Sequence, residues 1–166
     1  MIGATGPHFS DAELQCKGTD CAPGGKTGCH VNGCSQKLVD ALEDYRAKIA
    51  TAWAAKFHKP ESEFPGVRVS NAFRCLKHNA GTTGAAADSQ HPNGRAADLS
   101  VEGMTAAELE VIAHLVPEIH GIGRDDKRNF IHVDVRAALP IARWCYYTDE
   151  KGKTRWGAYY APEKVA

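Results

Sequence analysis

Asn129-Phe130-Ile131-His132-Val133-Asp134-Val135-Arg136 alternates apolar and polar side chains, the period of a β-strand. Ile131, Val133 and Val135 fall on one face, an aliphatic stripe that requires a core to cover it. His132, Asp134 and Arg136 fall on the other, setting a histidine, a carboxylate and a guanidinium in a row. A solvated outer face would also produce such a row. The choice depends on what the rest of the chain brings to it.

Upstream, Ser89-Gln90-His91-Pro92-Asn93-Gly94-Arg95-Ala96-Ala97-Asp98 sets a histidine and an aspartate seven residues apart across a glycine-containing turn. Arg95 to Val101 is a second expected strand, with Ala96 and Ser100 flanking Asp98 on its face. Those small neighbours leave space beside the carboxylate. His91, Asp98 and His132 make a set of two imidazoles and one carboxylate, which can hold zinc while leaving one coordination position open. That is the catalytic rather than the closed structural arrangement.

The remaining elements follow from caps and periodicity. Ser10-Asp11-Ala12-Glu13 is a capping box opening a short helix, and Thr105-Ala106-Ala107-Glu108 is a second one. Ser35 caps an expected long helix ending near Phe57, with Leu38, Val39, Leu42, Tyr45, Ile49 and Trp53 on one stripe. Val67 to Phe73 alternates as a strand, and a Gly/Ala/Thr-rich loop runs from about His78 to Gln90. Gly121 and Gly123 are expected to end the region after the second capped helix. Helices and short strands mix without a βαβ rhythm, which indicates an α+β fold. We expect a Cys/Gly-rich segment at 1–34 packed on the domain, a core at 35–147, and a polar tail or hairpin at 148–166. Tyr146, Tyr147, Trp156, Tyr159 and Tyr160 supply edge-strand packing or a glycan groove.

The 166 residues suffice for one domain with its own core. Apolar residues make up 43% and charged ones 24%, and the 20 basic and 20 acidic side chains cancel. A zero balance speaks against a nucleic-acid partner, which favours a basic excess. No apolar run reaches the roughly 20 residues of a membrane span, and the N-terminus lacks a secretory pattern. The expected site of synthesis is therefore a cytoplasm, with release to the cell wall or carriage in a virion afterwards. Cys16, Cys21, Cys29 and Cys34 cluster early beside His30, and a structural metal site, free thiols and disulfides are all open for them. Cys75 and Cys145 are expected to be buried apolar thiols.

Ser89-x-His91-x-x-Gly94-x-Ala96-x-Asp98 resembles, position for position, the signature of the zinc D-alanyl-D-alanine carboxypeptidases. That family includes vancomycin-resistance dipeptidases and phage L-alanyl-D-glutamate endolysins, and it shares its fold with the hedgehog signalling domain. Phe130 to Arg136 resembles the block bearing the family's third ligand. Ser70-Asn71-Ala72-Phe73-Arg74-Cys75 is similar to the segment whose arginine contacts substrate, with Asn71-Ala72 in place of the usual glycine. His8-Phe9-Ser10 with Cys16, and Arg143-Trp144, resemble the family's opening and closing motifs. The resemblance implies a hedgehog-like domain with a small antiparallel sheet and flanking helices. It also implies one catalytic Zn2+ on His91, Asp98 and His132, with Ser89 near a ligand.

Zinc lowers the pKa of a bound water to about 7 and polarises a carbonyl, and Arg74 is the expected cation for a substrate carboxylate or developing oxyanion. Better-known relatives carry an acid three residues before the last histidine, where this chain has Asn129. Asp134 is the expected proton acceptor in its place, and its other reading is a hydrogen-bond partner of a ligand histidine. Asp125, Asp126 and His120 are weaker candidates. The expected function is a metallopeptidase cutting peptidoglycan stem peptides or cross-links. A phage endolysin or virion-associated protein is the expected source, with other tail proteins as candidate partners. The alternative is a non-catalytic zinc-holding recognition or structural module of a phage particle on the same fold. A second, structural zinc on Cys16, Cys21, Cys29 and Cys34 stays open.

Overall fold

Ser35 caps the longest element as its chemistry requires: its hydroxyl accepts from the Leu38 amide at 3.3 Å, opening helix α2 over Gln36–Phe57. The computed structural model describes residues 3–19, 29–83, 85–86, 88–137 and 141–158. Helix α1, Asp11–Leu14, precedes α2 and carries the expected Ser10–Glu13 capping box. The apolar stripe of α2 is buried from Leu38 to Trp53. His58 ends it in the left-handed region at φ 53°. Short helix α3 follows at Leu76–Gly81, and α4, Ala106–Ala113, opens on the Thr105–Glu108 box.

The Tyr45 hydroxyl, buried on α2, donates to the Leu109 carbonyl of α4 at 2.6 Å. A buried neutral hydrogen bond contributes about 1 kcal/mol net. Tyr45→Phe should therefore lower unfolding stability by about that amount, read as a smaller urea midpoint at constant slope. An unchanged midpoint would show that this tie between the helices contributes nothing.

Six strands form one sheet: β1 Arg68–Asn71, β2 Ala96–Ser100, β3 Gly121–Asp125, β4 Phe130–Asp134, β5 Ala142–Thr148 and β6 Thr154–Ala158. Their order is β1-β2-β4-β3-β5-β6, antiparallel throughout except for the parallel β3–β5 pair. The expected aliphatic stripe of β4 is confirmed, with Ile131, Val133 and Val135 all buried in the main core with α2 and α4. The opposite face of β4 is covered as well: His132 is 5% exposed and Asp134 fully buried. This row is therefore not a solvated surface.

Three elements depart from expectation. Gly121 and Gly123 do not end a region but lie in β3, where both face the polar side of β4. A Cβ on Gly121 would collide with the Asp134 carboxylate, and one on Gly123 with the Trp144 indole. The loop expected from His78 begins later, because α3 occupies Leu76–Gly81. Strand β5 and its hairpin with β6 extend the sheet across the expected tail boundary. At the other end, residues 3–19 pack on the domain: Phe9, Leu14 and Cys16 are buried, and the Phe73 amide donates to the Leu14 carbonyl at 3.1 Å. Among the described residues no helix is long and apolar enough to cross a membrane.

Candidate metal centre and active site

Sheet register assembles the site. One row of paired positions crosses five strands as Asn71, Asp98, His132, Gly123 and Trp144. Paired residues point to the same face, so Asp98 and His132 emerge side by side. The absent side chain at Gly123 admits the Trp144 ring against His132, with centroids 5.1 Å apart. The neighbouring row is Ala96, Asp134, Gly121 and Ala142, and its small residues make room for the buried Asp134 carboxylate.

His91 arrives from the turn before β2. Gly94 makes that turn possible: its φ is +64°, and a Cβ there would strike the Gly33 carbonyl. The Gly94 carbonyl accepts from the Ser35 amide at 2.9 Å, which fixes the turn to the start of α2. The imidazole is 1% exposed and its Nδ1 lies 2.6 Å from the Ala72 carbonyl oxygen. A carbonyl only accepts, so Nδ1 carries the proton and Nε2 presents a lone pair.

His132 lies between two carboxylates, Asp98 at Nδ1 and Asp134 at Nε2. With its proton on Nε2, 3.2 Å from the Asp134 carboxylate, it donates there and presents the Nδ1 lone pair, the form a metal ligand requires. Nδ1 of His132 then lies 3.2 Å from Nε2 of His91 and 2.9 Å from Oδ1 of Asp98. Nε2 of His91 is 3.3 Å from that same oxygen. The other Asp98 oxygen is approached by the Asn71 amide at 3.4 Å.

Three acceptors thus converge on one point. Donor atoms bound tetrahedrally to zinc at about 2.0–2.1 Å stand about 3.3 Å apart, the spacing seen here. The donor set fits a divalent cation. Burial pulls the His91 pKa down, which favours the neutral ligand form. Burial opposes ionisation of Asp98, yet the two histidines outweigh it and hold the carboxyl well below its usual range. For His132 burial also lowers the pKa, but the adjacent Asp134 and Asp98 carboxylates outweigh it and leave it raised.

Asp134 sits behind His132, on the ring nitrogen turned away from the convergence point. Both its oxygens are held by the Arg136 guanidinium, Oδ1 by Nε at 2.8 Å and Oδ2 by Nη2 at 2.6 Å. The Arg136 amide adds a third bond at 3.1 Å. Burial raises the Asp134 pKa, but the bonds from His132 and Arg136 reverse this and keep it ionised. Asn129 is turned away from the site. In the left-handed region at φ 51°, it accepts from the Ala106 amide at 2.7 Å and donates to the Met104 carbonyl at 3.0 Å. An amide there closes the start of α4, which an acid could not do with both donor and acceptor.

A cleft of about 530 Å³ opens over the convergence point, lined by His91, Asp98, His132, Arg74, Trp144 and Tyr146 among others. Arg74 is 7% exposed, its pKa lowered by burial against the pull of Asp98. Among the described residues its buried Nε meets no acceptor. Arg128, Arg136 and Arg143 add cationic lining, and Asp88 is an exposed carboxylate of the same cleft. Ser89 lines it too.

The weaker candidates are engaged elsewhere: Asp125 with Arg128 at 2.7 Å, Asp126 with Arg124 at 2.9 Å, and Nδ1 of His120 with the Arg136 carbonyl at 2.7 Å. Of the tail aromatics, Tyr146 and Trp156 line the cleft, and Tyr159 and Tyr160 lie outside the described residues. Asn71, Arg128, Arg143, Trp144 and Asp88 were not singled out from sequence as part of a site. The matched segments containing Asn71 and Arg143-Trp144, together with the two-residue strand period, were the signals that could have placed three of them there.

Among the described residues the early cysteines divide between two places. Cys34 is buried in the main core, where its thiol donates to the Leu14 carbonyl at 3.7 Å and burial pushes its pKa up to about 11. Cys21 lies outside the described residues, and His30 is exposed. Cys75 and Cys145 are half-buried rather than core thiols. Cys75 instead lies with Cys16 and Cys29, their sulfurs within 4.8 Å of one another.

A search of curated proteins finds no match to the chain. A family model described as Peptidase M15 matches residues 7–134, most of the 166-residue chain. The matched span contains His91, Asp98, His132 and the Arg74 segment, and ends at Asp134. With its convergent donor set and this match, the chain belongs to the Peptidase M15 family of metallopeptidases.

Proposed function

We propose that the protein hydrolyses peptide bonds of bacterial peptidoglycan, with Zn2+ held by His91, Asp98 and His132. The observation that carries this reading is the meeting of two imidazole lone pairs and a carboxylate at mutual distances of 2.9–3.3 Å beneath an open cleft. Such acceptors repel one another unless a cation or a proton lies between them. Zinc in that position supplies an ionisable water near neutral pH and a Lewis acid for the scissile carbonyl.

The chain's own residues do the rest. Arg74 binds and orients a carboxylate or the carbonyl oxygen that gains charge, in a setting where water cannot screen it. Arg128, Arg136 and Arg143 surround an opening suited to peptides rich in free carboxylates, as cell-wall stem peptides are. Trp144, Tyr146 and Trp156 offer apolar surface for the sugar or the peptide backbone. Asp134 acts as a positioning residue, fixing the tautomer and angle of His132, and Ser89 shapes the rim near His91. Among the described residues Asp88 is the other carboxylate that lines the cleft besides Asp98, and it is the proton acceptor we assign. The source we propose is a phage, as an endolysin or a virion-associated protein reaching the wall from outside or after lysis.

A second reading rests on one specific observation: both oxygens of Asp134 are engaged, and Asn129 serves α4. A recognition module that holds zinc without hydrolysis would tolerate this. Purified sacculi digested with wild type and with His132→Ala, followed by mass spectrometry of new termini, separate the two. Hydrolysis expects new termini from wild type alone, and they name the bond cut. Silence from both, with zinc bound by wild type, establishes the recognition module.

A further inference from the structure

We propose a second metal site, separate from the cleft metal, in which Cys16, Cys29, Cys75 and His78 hold a structural zinc ion. The three sulfurs lie within 4.8 Å of one another although they come from separate stretches of chain. Sulfurs on a common zinc at about 2.3 Å stand about 3.8 Å apart, so the group needs only a slight contraction. His78 approaches Cys16, with Nδ1 3.3 Å from Sγ, but stands outside the 4.8 Å group of the three sulfurs, so it would complete the set by a shift of its side chain. Its side chain packs against the backbone at Gly18, where a Cβ would strike Cγ of the imidazole. Three thiolates with one imidazole drawn in would make a closed tetrahedral set with a preference for zinc over harder cations.

Backbone amides point at the sulfurs as they do around thiolates. The Cys75 amide donates to Sγ of Cys16 at 3.5 Å, and the His78 amide to Sγ of Cys75 at 3.4 Å. The site ties the segment after α1 and the segment before α2 to the first turn of α3. Arg74 immediately precedes Cys75, and its amide donates to the His91 carbonyl at 3.4 Å. A metal here would therefore fix the backbone from which Arg74 reaches the cleft.

The test is metal stoichiometry on the full chain, purified without chelator. Wild type should carry about two zinc ions, and Cys16→Ser, Cys75→Ser and His78→Ala about one. His132→Ala should also carry about one, but held at the thiolate site. Cobalt reconstitution assigns that remaining ion without depending on how the cysteine variants fold: wild type and His132→Ala should both show sulfur-to-cobalt charge-transfer absorption. One zinc in wild type that disappears in His132→Ala would overturn the proposal. A disulfide among Cys16, Cys29 and Cys75 found by peptide mapping of unreduced protein would do the same. Unchanged stoichiometry and chelator resistance in His78→Ala would remove His78 from the set and with it the Cys3His assignment.

Discussion

His91→Ala is expected to leave less than about a thousandth of the wild-type hydrolytic rate and to lose the cleft metal. Nε2 of His91 is one of three donors, and the two that remain, Asp98 and His132, are too few to hold a catalytic zinc firmly. The chemistry supplied by the metal amounts to several kcal/mol of barrier, and about 4 kcal/mol corresponds to a thousandfold in rate. Truncation also opens a small cavity and frees the Ala72 carbonyl, so folding should be checked by circular dichroism alongside metal content. A folded His91→Ala protein that still cuts sacculi within tenfold of wild type would show that the reaction takes place elsewhere.

Asp134→Asn should behave in a graded way, and the difference is informative. An amide can present its NH2 group to Nε2 of His132, which moves the ring proton to Nδ1 and blocks the ligand atom. Losing such a partner typically lowers metal affinity 10–100-fold. Excess zinc should then restore much of the rate. Were Asp134 the proton acceptor, the metal would stay bound and the rate would stay lost whatever the zinc concentration.

The sequence already contained most of this centre, because its signals were local. Ser35 and Thr105 fixed helix starts by side-chain hydrogen bonds that span three residues. The two-residue period of Ile131, Val133 and Val135 fixed which face of β4 carried His132. Other features depend on contacts between distant segments. Gly121 and Gly123 have the low strand propensity of any glycine, and only Asp134 and Trp144 on neighbouring strands explain them. Helix α3 is six residues long with Leu76 79% exposed, too short and too little amphipathic to show a period. Spacing put Asp134 on the same face as His132 but could not say which ring nitrogen it would meet, and that choice separates a proton acceptor from a positioning residue. Cys75 and His78 join Cys16 across some sixty positions of chain, so counting early cysteines led to Cys34, which belongs to the core.

Arg74→Ala should lower the hydrolytic rate about 100–1000-fold while leaving the cleft metal in place, the loss expected when one fixed oxyanion or carboxylate donor is removed. The guanidinium is 7% exposed, lies in the cleft with Asp98, and has its Nε without an acceptor among the described residues. A buried cation with unused donors is poised for a ligand that brings negative charge. Lysine should not replace it, since a single ammonium cannot supply the planar pair of donors that a carboxylate or tetrahedral oxygen uses. Arg74→Lys should therefore recover less than about tenfold of the loss. On a synthetic stem peptide, a fall confined to kcat would identify a contact made as charge develops, and a rise confined to KM a contact to a fixed substrate carboxylate. If Arg74→Ala kept both constants within about twofold, the arginine would be a structural cation balancing Asp98, and the substrate's negative charge would have to be met by Arg128, Arg136 or Arg143 at the rim.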